Sequence, residues 1–269
     1  MLFILRNPLD VKLSGFAGYL NMASYLTKIT RGSDKMQCYY EESVVSSSTN
    51  EHCLLRPYLG RRRCRNPEAD SEPSTRPQAF SLGDFPLHLD QMEQLGLNPE
   101  EYAVTMADAL AFMHWIAGLD GNGVEFVLAR PRGPPYYFCQ CHRKSAQEAH
   151  PHNVRILGPH SMWILDFDMC RELTLDESGI EQACNAFWSN DPWYPQPGRL
   201  ATADQKLWDT FELRFLTLSA RALEWQPSEI RELPRLLMEK IKQTAMTASK
   251  DKVGNQEQTL LACSNENRP

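Results

Sequence analysis

Three carboxylates stand where apolar runs begin or end. Asp120 closes "MHWIAGLD", Glu125 opens "EFVLA" five residues on, and Asp166 closes "MWILD". Acids held at strand ends can supply the oxygen ligands that a hard cation such as Mg²⁺ takes, or a general base. The same acids can instead cap turns or pair with arginines. A second set lies in "CQCHRKSAQEAHPH", where Cys139, Cys141, His142, His150 and His152 offer thiolates and imidazoles. Those are the donors zinc prefers. C-x-C with H-x-H is not the usual zinc spacing, so a solvated polar insert is the expected state and zinc the lesser alternative. The third set is "RRRCR", residues 61 to 65. It could bind phosphate or serve nuclear import, but a solvated linker is the plainer expectation.

The elements around these residues are readable. "NPEEYAVTMADALAFMHWIAG" is the clearest helix: Asn98 can cap it, Pro99 suits the first helical position, and Gly118 fits the stop. Tyr102, Met106, Ala109, Leu110, Met113 and Ala117 form its apolar stripe. "VEFVLA" and "MWILDF" read as strands, with residues 130 to 160 as a polar excursion between them. "CLLRPYLG" reads as an earlier strand, and "PLHLDQMEQLG" as a short helix. "DESGIEQACNAFWSN" is a helix capped by Asp176, and two more helices follow in "ADQKLWDTFELRFLTLSARAL" and "PRLLMEKIKQTAM". The early stretch "GFAGYLNMASYLTKI" also has helical spacing. His88 and His114 sit beside apolar residues and read as packing histidines. Trp163 and Trp188 read as core, while Trp193 and Tyr194 in a Pro-rich turn could line a surface groove.

With 269 residues, 42% of them hydrophobic, the chain can build a substantial core. Its net charge of −6 gives no general footprint for nucleic acid. The opening "MLFILRNPLD" is too short an apolar run for a signal peptide or a spanning helix. The eight cysteines are therefore expected to be reduced, in cytoplasm or nucleus. No G-x-S-x-G elbow supports a serine hydrolase, and "GNG" lacks the third glycine of a dinucleotide fingerprint.

A long helix, an Asp loop, two strands and then Asp-Phe resembles the C-terminal lobe of the protein-kinase fold. There a catalytic-loop Asp orients the substrate hydroxyl, an Asn five residues on holds a metal, and the Asp of D-F-G holds Mg²⁺. The resemblance places Asp120 at the base position, Glu125 at the Asn position, and Asp166 and Phe167 at the start of D-F-G. The departures are specific. Gly118 and Leu119 stand where His-Arg would, Asp168 replaces the Gly, and neither G-x-G-x-x-G nor V-A-I-K occurs upstream. A narrower resemblance is to a fungal family of unknown function labelled "zinc finger protein". It rests on "LRPYLGRRR", "FPLHLDQMEQLGLNPEEYAVTMADALAFMHW", "GLDGNGVEFVLA" and "HSMWILDFDMCRELTLDESGIEQACNAFWSNDPWYP", across most of residues 53 to 220. That family implies no particular activity.

The expected fold is α+β and mainly α-helical: a degenerate protein-kinase-like C-terminal lobe with a reduced or absent N-lobe. Residues 1–52 form a divergent or truncated amino-terminal region, 53–245 the domain, 61–79 a flexible linker, 130–160 an insert and 246–269 a disordered tail. The expected function is a non-catalytic scaffold or regulatory protein with a protein partner, without membrane or nucleic-acid binding. The alternatives are a Mg²⁺-dependent small-molecule phosphotransferase, with Asp120 as base and Glu125 and Asp166 as ligands, or an interaction module stabilised by zinc on Cys139, Cys141, His150 and His152.

Overall fold

The structure is a computed structural model. It describes residues 3–4, 55–63, 85–129, 152–154 and 158–265, with backbone alone at 3–4, 129, 152–154, 158–159 and 249–265. The strands are β1 (Phe3–Ile4), β2 (Leu55–Tyr58), β3 (Phe85–His88), β4 (Glu125–Ala129), β5 (His152–Val154) and β6 (Gly158–Leu165). The helices are α1 (Leu89–Gln94), α2 (Pro99–Trp115), α3 (Glu177–Ser189), α4 (Thr202–Ala222) and α5 (Ser228–Asn265). The fold is α+β. The expected early helix within residues 15 to 29 lies outside the described residues.

The sheet runs in the order β1-β6-β4-β2-β3, with β5 paired to β6. β4 and β6 are neighbouring antiparallel strands in the register Glu125↔Leu165. That register places the start of β4 beside the end of β6, which brings Glu125 next to the segment beginning at Asp166. β2 joins β4 antiparallel and β3 parallel. The stretch expected to be one short helix is thus split. Phe85–His88 is a strand before α1, in keeping with the extended backbone that Pro86 imposes on the residue before it. β1 lies parallel to β6, Phe3 against Trp163 and Ile4 against Ile164. Two residues carry no periodicity, so sequence could not show that strand.

α2 is built as its sequence indicates. Asn98 accepts from the Glu100 amide, Pro99 occupies the first position, and Gly118 takes a φ of +66° just beyond the helix. α4 runs parallel to it with an almost constant offset. Lys206 meets Glu100, Arg214 meets Asp108, and the Trp115 indole donates to Ser219. Between helices and sheet, Tyr102, Met106, Leu110, Phe126, Ile164, Phe211 and Phe215 form one core, none more than 2% exposed. Trp193 and Tyr194 belong to that core at 6% and 2% exposure, not to a surface groove. The Tyr194 ring stacks on Phe187, and Tyr58 and Phe126 pack edge-on against Trp193.

The linker expected from residue 61 does not begin there. Arg61 pairs with Asp191, Arg62 with both Glu93 and Asp204, and Arg63 with Asp90. The amide of Arg63 also donates to Asp90. Acids from α1, α4 and the loop after α3 turn the arginine run into a tie between elements, which composition alone cannot reveal. At the other end, α5 continues to Asn265 where a disordered tail was expected from 246. Its later turns give little local sign of this, since Ser249, Gly254 and Asn255 are weak helix formers.

α3 yields a prediction of unusual sign. Asp176 caps it by accepting from the Gly179 amide at 2.9 Å. Tightening this turn brings the Thr174 carbonyl oxygen to within 1.8 Å of where a Cβ on Gly179 would stand. In an open helix Gly→Ala stabilises by roughly 1 kcal/mol. Here Gly179→Ala destabilises, by about 2 kcal/mol, because the obstacle is backbone. Chemical denaturation of the two proteins measures the sign directly.

Candidate functional site

The loop after α2, "GLDGNGV", carries Asp120 and is held by backbone and side-chain hydrogen bonds. Its backbone bridges the segment after β6: the Asp120 amide donates to the Arg171 carbonyl, and the Leu173 amide to the Gly118 carbonyl. Gly121 and Gly123 turn it with φ of +70° and +78°, in the left-handed region that glycine enters at little cost. Asn190, the C-cap of α3, clamps the turn with both ends of its amide. Its Nδ2 donates to the Gly121 carbonyl and its Oδ1 accepts from the Gly123 amide.

Asp120 is 3% exposed. Its Oδ1 accepts from the amides of Asn122 at 3.0 Å and Arg171 at 2.9 Å, and its Oδ2 from Gln182 Nε2 at 2.9 Å. Three donors therefore close around the carboxylate, tying the loop to the post-β6 segment and to α3. His114 supports it from beneath. Its Nε2 donates to the Asp120 carbonyl, and its ring packs edge-on against Trp115 and Phe215. Nδ1 is buried without a partner among the described residues. Burial, outweighing the Asp120 carbonyl and charge, pushes His114 down to about 4.

Glu125 and Asp166 come together on the neighbouring edge. Glu125 is bound by Arg56 of β2 at 2.5 Å. Asp166 is exposed, with a left-handed φ of +67°. Its carboxyl is held above the usual carboxylate range, first by a hydrogen bond shared with Asp168, then by partial burial and the charges of Asp168 and Glu125, with Arg56 opposing. The positive φ falls on Asp166 and not on Asp168, so Asp168 carries no glycine-like backbone demand. Among the described residues, no group of three or more His, Cys, Asp or Glu side chains is arranged to hold a metal ion. Cys139, Cys141, His142 and His150 lie outside the described residues, and of His152 only the strand backbone is described.

Sequence reasoning missed three residues that organise this region. Gln182 and Asn190 lie on and after α3, far along the chain from the loop they hold. Arg56 looked like one strand residue among others. The one local signal was Asn190 at the end of a helix, where an amide can reach into a neighbouring turn.

Residues 162–227 match the model of a family described as "Zinc finger protein". The match begins in β6, takes in the Asp166 segment, α3 and α4, and ends before α5. No curated protein and no solved structure matches the chain. The matched stretch contains two cysteines, Cys170 and Cys184, and no histidine. A tetrahedral zinc site takes four ligands, so the stretch cannot build one from cysteine and histidine alone. Its thiols are also poorly disposed to ionise. Burial, with the nearby Asp120 charge, pushes Cys170 up to about 11, and burial raises Cys184 as well. Among the described residues no helix is long and apolar enough to cross a membrane.

Proposed function

We propose that this chain is a protein-kinase-like C-terminal lobe that performs no phosphoryl transfer and works as a scaffold or regulatory domain. The observation that carries this reading is Asp120, 3% exposed with three N–H donors on its carboxylate. A general base must reach the proton it removes. This carboxylate is spent on joining a loop, the segment after β6 and a helix. Glu125, which would be the second Mg²⁺ ligand of a phosphotransferase, is already neutralised by Arg56. The order of α2, the Asp loop, antiparallel β4 and β6, and Asp166-Phe167 supports the kinase-like part of the proposal. A fungal origin and a cytoplasmic or nuclear setting belong to the same proposal. The zinc-stabilised module gains nothing from the family label, given the residues of the matched stretch.

Titration with Mn²⁺ and ATP, followed by paramagnetic broadening of amide signals, tests the metal part. The expected result is no binding at Glu125 and Asp166 tighter than roughly millimolar, since one of the two acids is already paired. Tight binding of Mn²⁺·ATP, lost in Asp166→Asn, would favour the phosphotransferase.

A further inference from the structure

One hollow in the described structure lies away from the Asp120 loop. It is a groove of about 860 Å³ between the arginine run, the loop after α3, the start of α4 and the middle of α5. Its walls include Leu59, Trp188, Pro195 and Leu207, so the interior has apolar surface. Its charge is opposite to that of the chain. Four arginines, Arg61, Arg62, Arg63 and Arg199, line it against two aspartates, Asp191 and Asp204, although the chain carries −6 overall.

The four arginines are not equivalent. Arg62 and Arg63 are bound by acids of neighbouring elements. Arg61 pairs with Asp191 but stays 54% exposed. Arg199 meets no carboxylate among the described residues. Its Nη2 donates to the Gly60 carbonyl at 2.7 Å and to Gln196, which leaves Nε and Nη1 without described partners. Two carbonyl-type acceptors hold the guanidinium in place without neutralising it. Beside it, Leu200 is fully exposed at 104%. A fixed, unneutralised guanidinium next to an exposed leucine, on the rim of a partly apolar groove, is complementary to an acid adjoining an apolar side chain.

We propose that this groove binds an acidic linear peptide segment of a partner protein. An Asp or Glu of the peptide takes the free edge of Arg199, with Arg61 adding charge, and a neighbouring apolar residue covers Leu200 and enters between Trp188 and Pro195. Charge-assisted hydrogen bonds to a guanidinium fork orient the acid, and apolar burial supplies the rest. The inference rests on the scaffold reading, to which it gives a partner class. Its readout is peptide binding, which is separate from nucleotide turnover.

The test is selection of a random-peptide display library on the full chain, followed by anisotropy with the enriched peptides made synthetically. The expected motif pairs an acid with a nearby apolar residue. Binding falls about tenfold in Arg199→Glu, the size of one charged pair, and also in Leu200→Asp, whose site is fully exposed and leaves folding intact. Arg221→Glu makes the same charge change at the far end of α4 and leaves binding unchanged. The proposal is overturned by failure to enrich any peptide, by enriched motifs lacking acids, or by binding indifferent to both groove variants. Full competition by inorganic phosphate, with no effect of the apolar residue, would make this a small-anion site instead. Binding only after deletion of residues 66–79, which carry Glu68, Asp70 and Glu72, would assign the groove to the chain's own segment.

Discussion

Replacing Asp120 with alanine destabilises the fold by about 3 kcal/mol, the scale of leaving several buried donors without an acceptor. The donors concerned are the Asn122 and Arg171 amides and the Gln182 side chain. The two amides have no other acceptor to turn to, because backbone cannot rotate away as a side chain can. Asp120→Asn is the informative companion. Its Oδ1 can still accept from both amides, but its Nδ2 faces Gln182 Nε2, donor against donor. Gln182 can flip to offer its oxygen, at the expense of its bond to the Glu172 carbonyl. The asparagine variant therefore loses about 1 kcal/mol, near the net worth of one hydrogen bond. Urea denaturation of the three proteins ranks them. An alanine variant as stable as the parent would mean that Asp120 is not the tie described here.

Stability also falls steeply between pH 6.5 and pH 4, and His114 is a principal cause. Its pKa is lowered from 6.5 in the unfolded chain to about 4 in the folded one. In that interval the unfolded chain binds the proton and the folded chain does not, so acid favours unfolding. The contribution is fully present above pH 6.5 and is lost as pH falls toward 4. The shift corresponds to roughly 3 kcal/mol. The physical reason is visible in the ring: Nε2 is committed to the Asp120 carbonyl, and Nδ1 is buried with no acceptor for a second proton among the described residues. His114→Phe keeps the edge-on packing against Trp115 and Phe215 but cannot titrate. It should lose about 1 kcal/mol at neutral pH, through the lost hydrogen bond, and should lack this part of the acid dependence. Parallel slopes of stability against pH for parent and variant would contradict the assignment.

The parts of the fold that could be read in advance are those written in local chemistry. Asn98-Pro99 and Asp176 mark helix starts because capping is settled within a few residues, and both helices begin there. The apolar runs around Phe126 and Ile164 mark strands for the same reason. What sequence could not supply was decided at long range. Arg61, Arg62 and Arg63 looked like solvated linker because their acids come from elsewhere along the chain. Trp193 and Tyr194 looked like surface aromatics because a Pro-rich turn gives no sign that it folds back over β2, where the Leu59 and Gly60 amides reach its carbonyls. At the candidate site, spacing identified Asp120, Glu125 and Asp166 as special. It could not say that Gln182 and the Arg171 amide would close over the first, or that Arg56 would hold the second.

We propose that Asp120 and Glu125 serve architecture rather than phosphoryl transfer. Steady-state ATP consumption by the purified full chain with Mg²⁺ tests it most directly, with Asp120→Asn and Asp166→Asn measured beside it. Positioning of reactants can be worth roughly 7–11 kcal/mol of a barrier, and an enclosed Asp120 beside a Glu125 already paired with Arg56 offers little of it. The expected rate is indistinguishable from buffer in all three proteins. Sustained turnover by the parent, abolished in both folded variants, would contradict it.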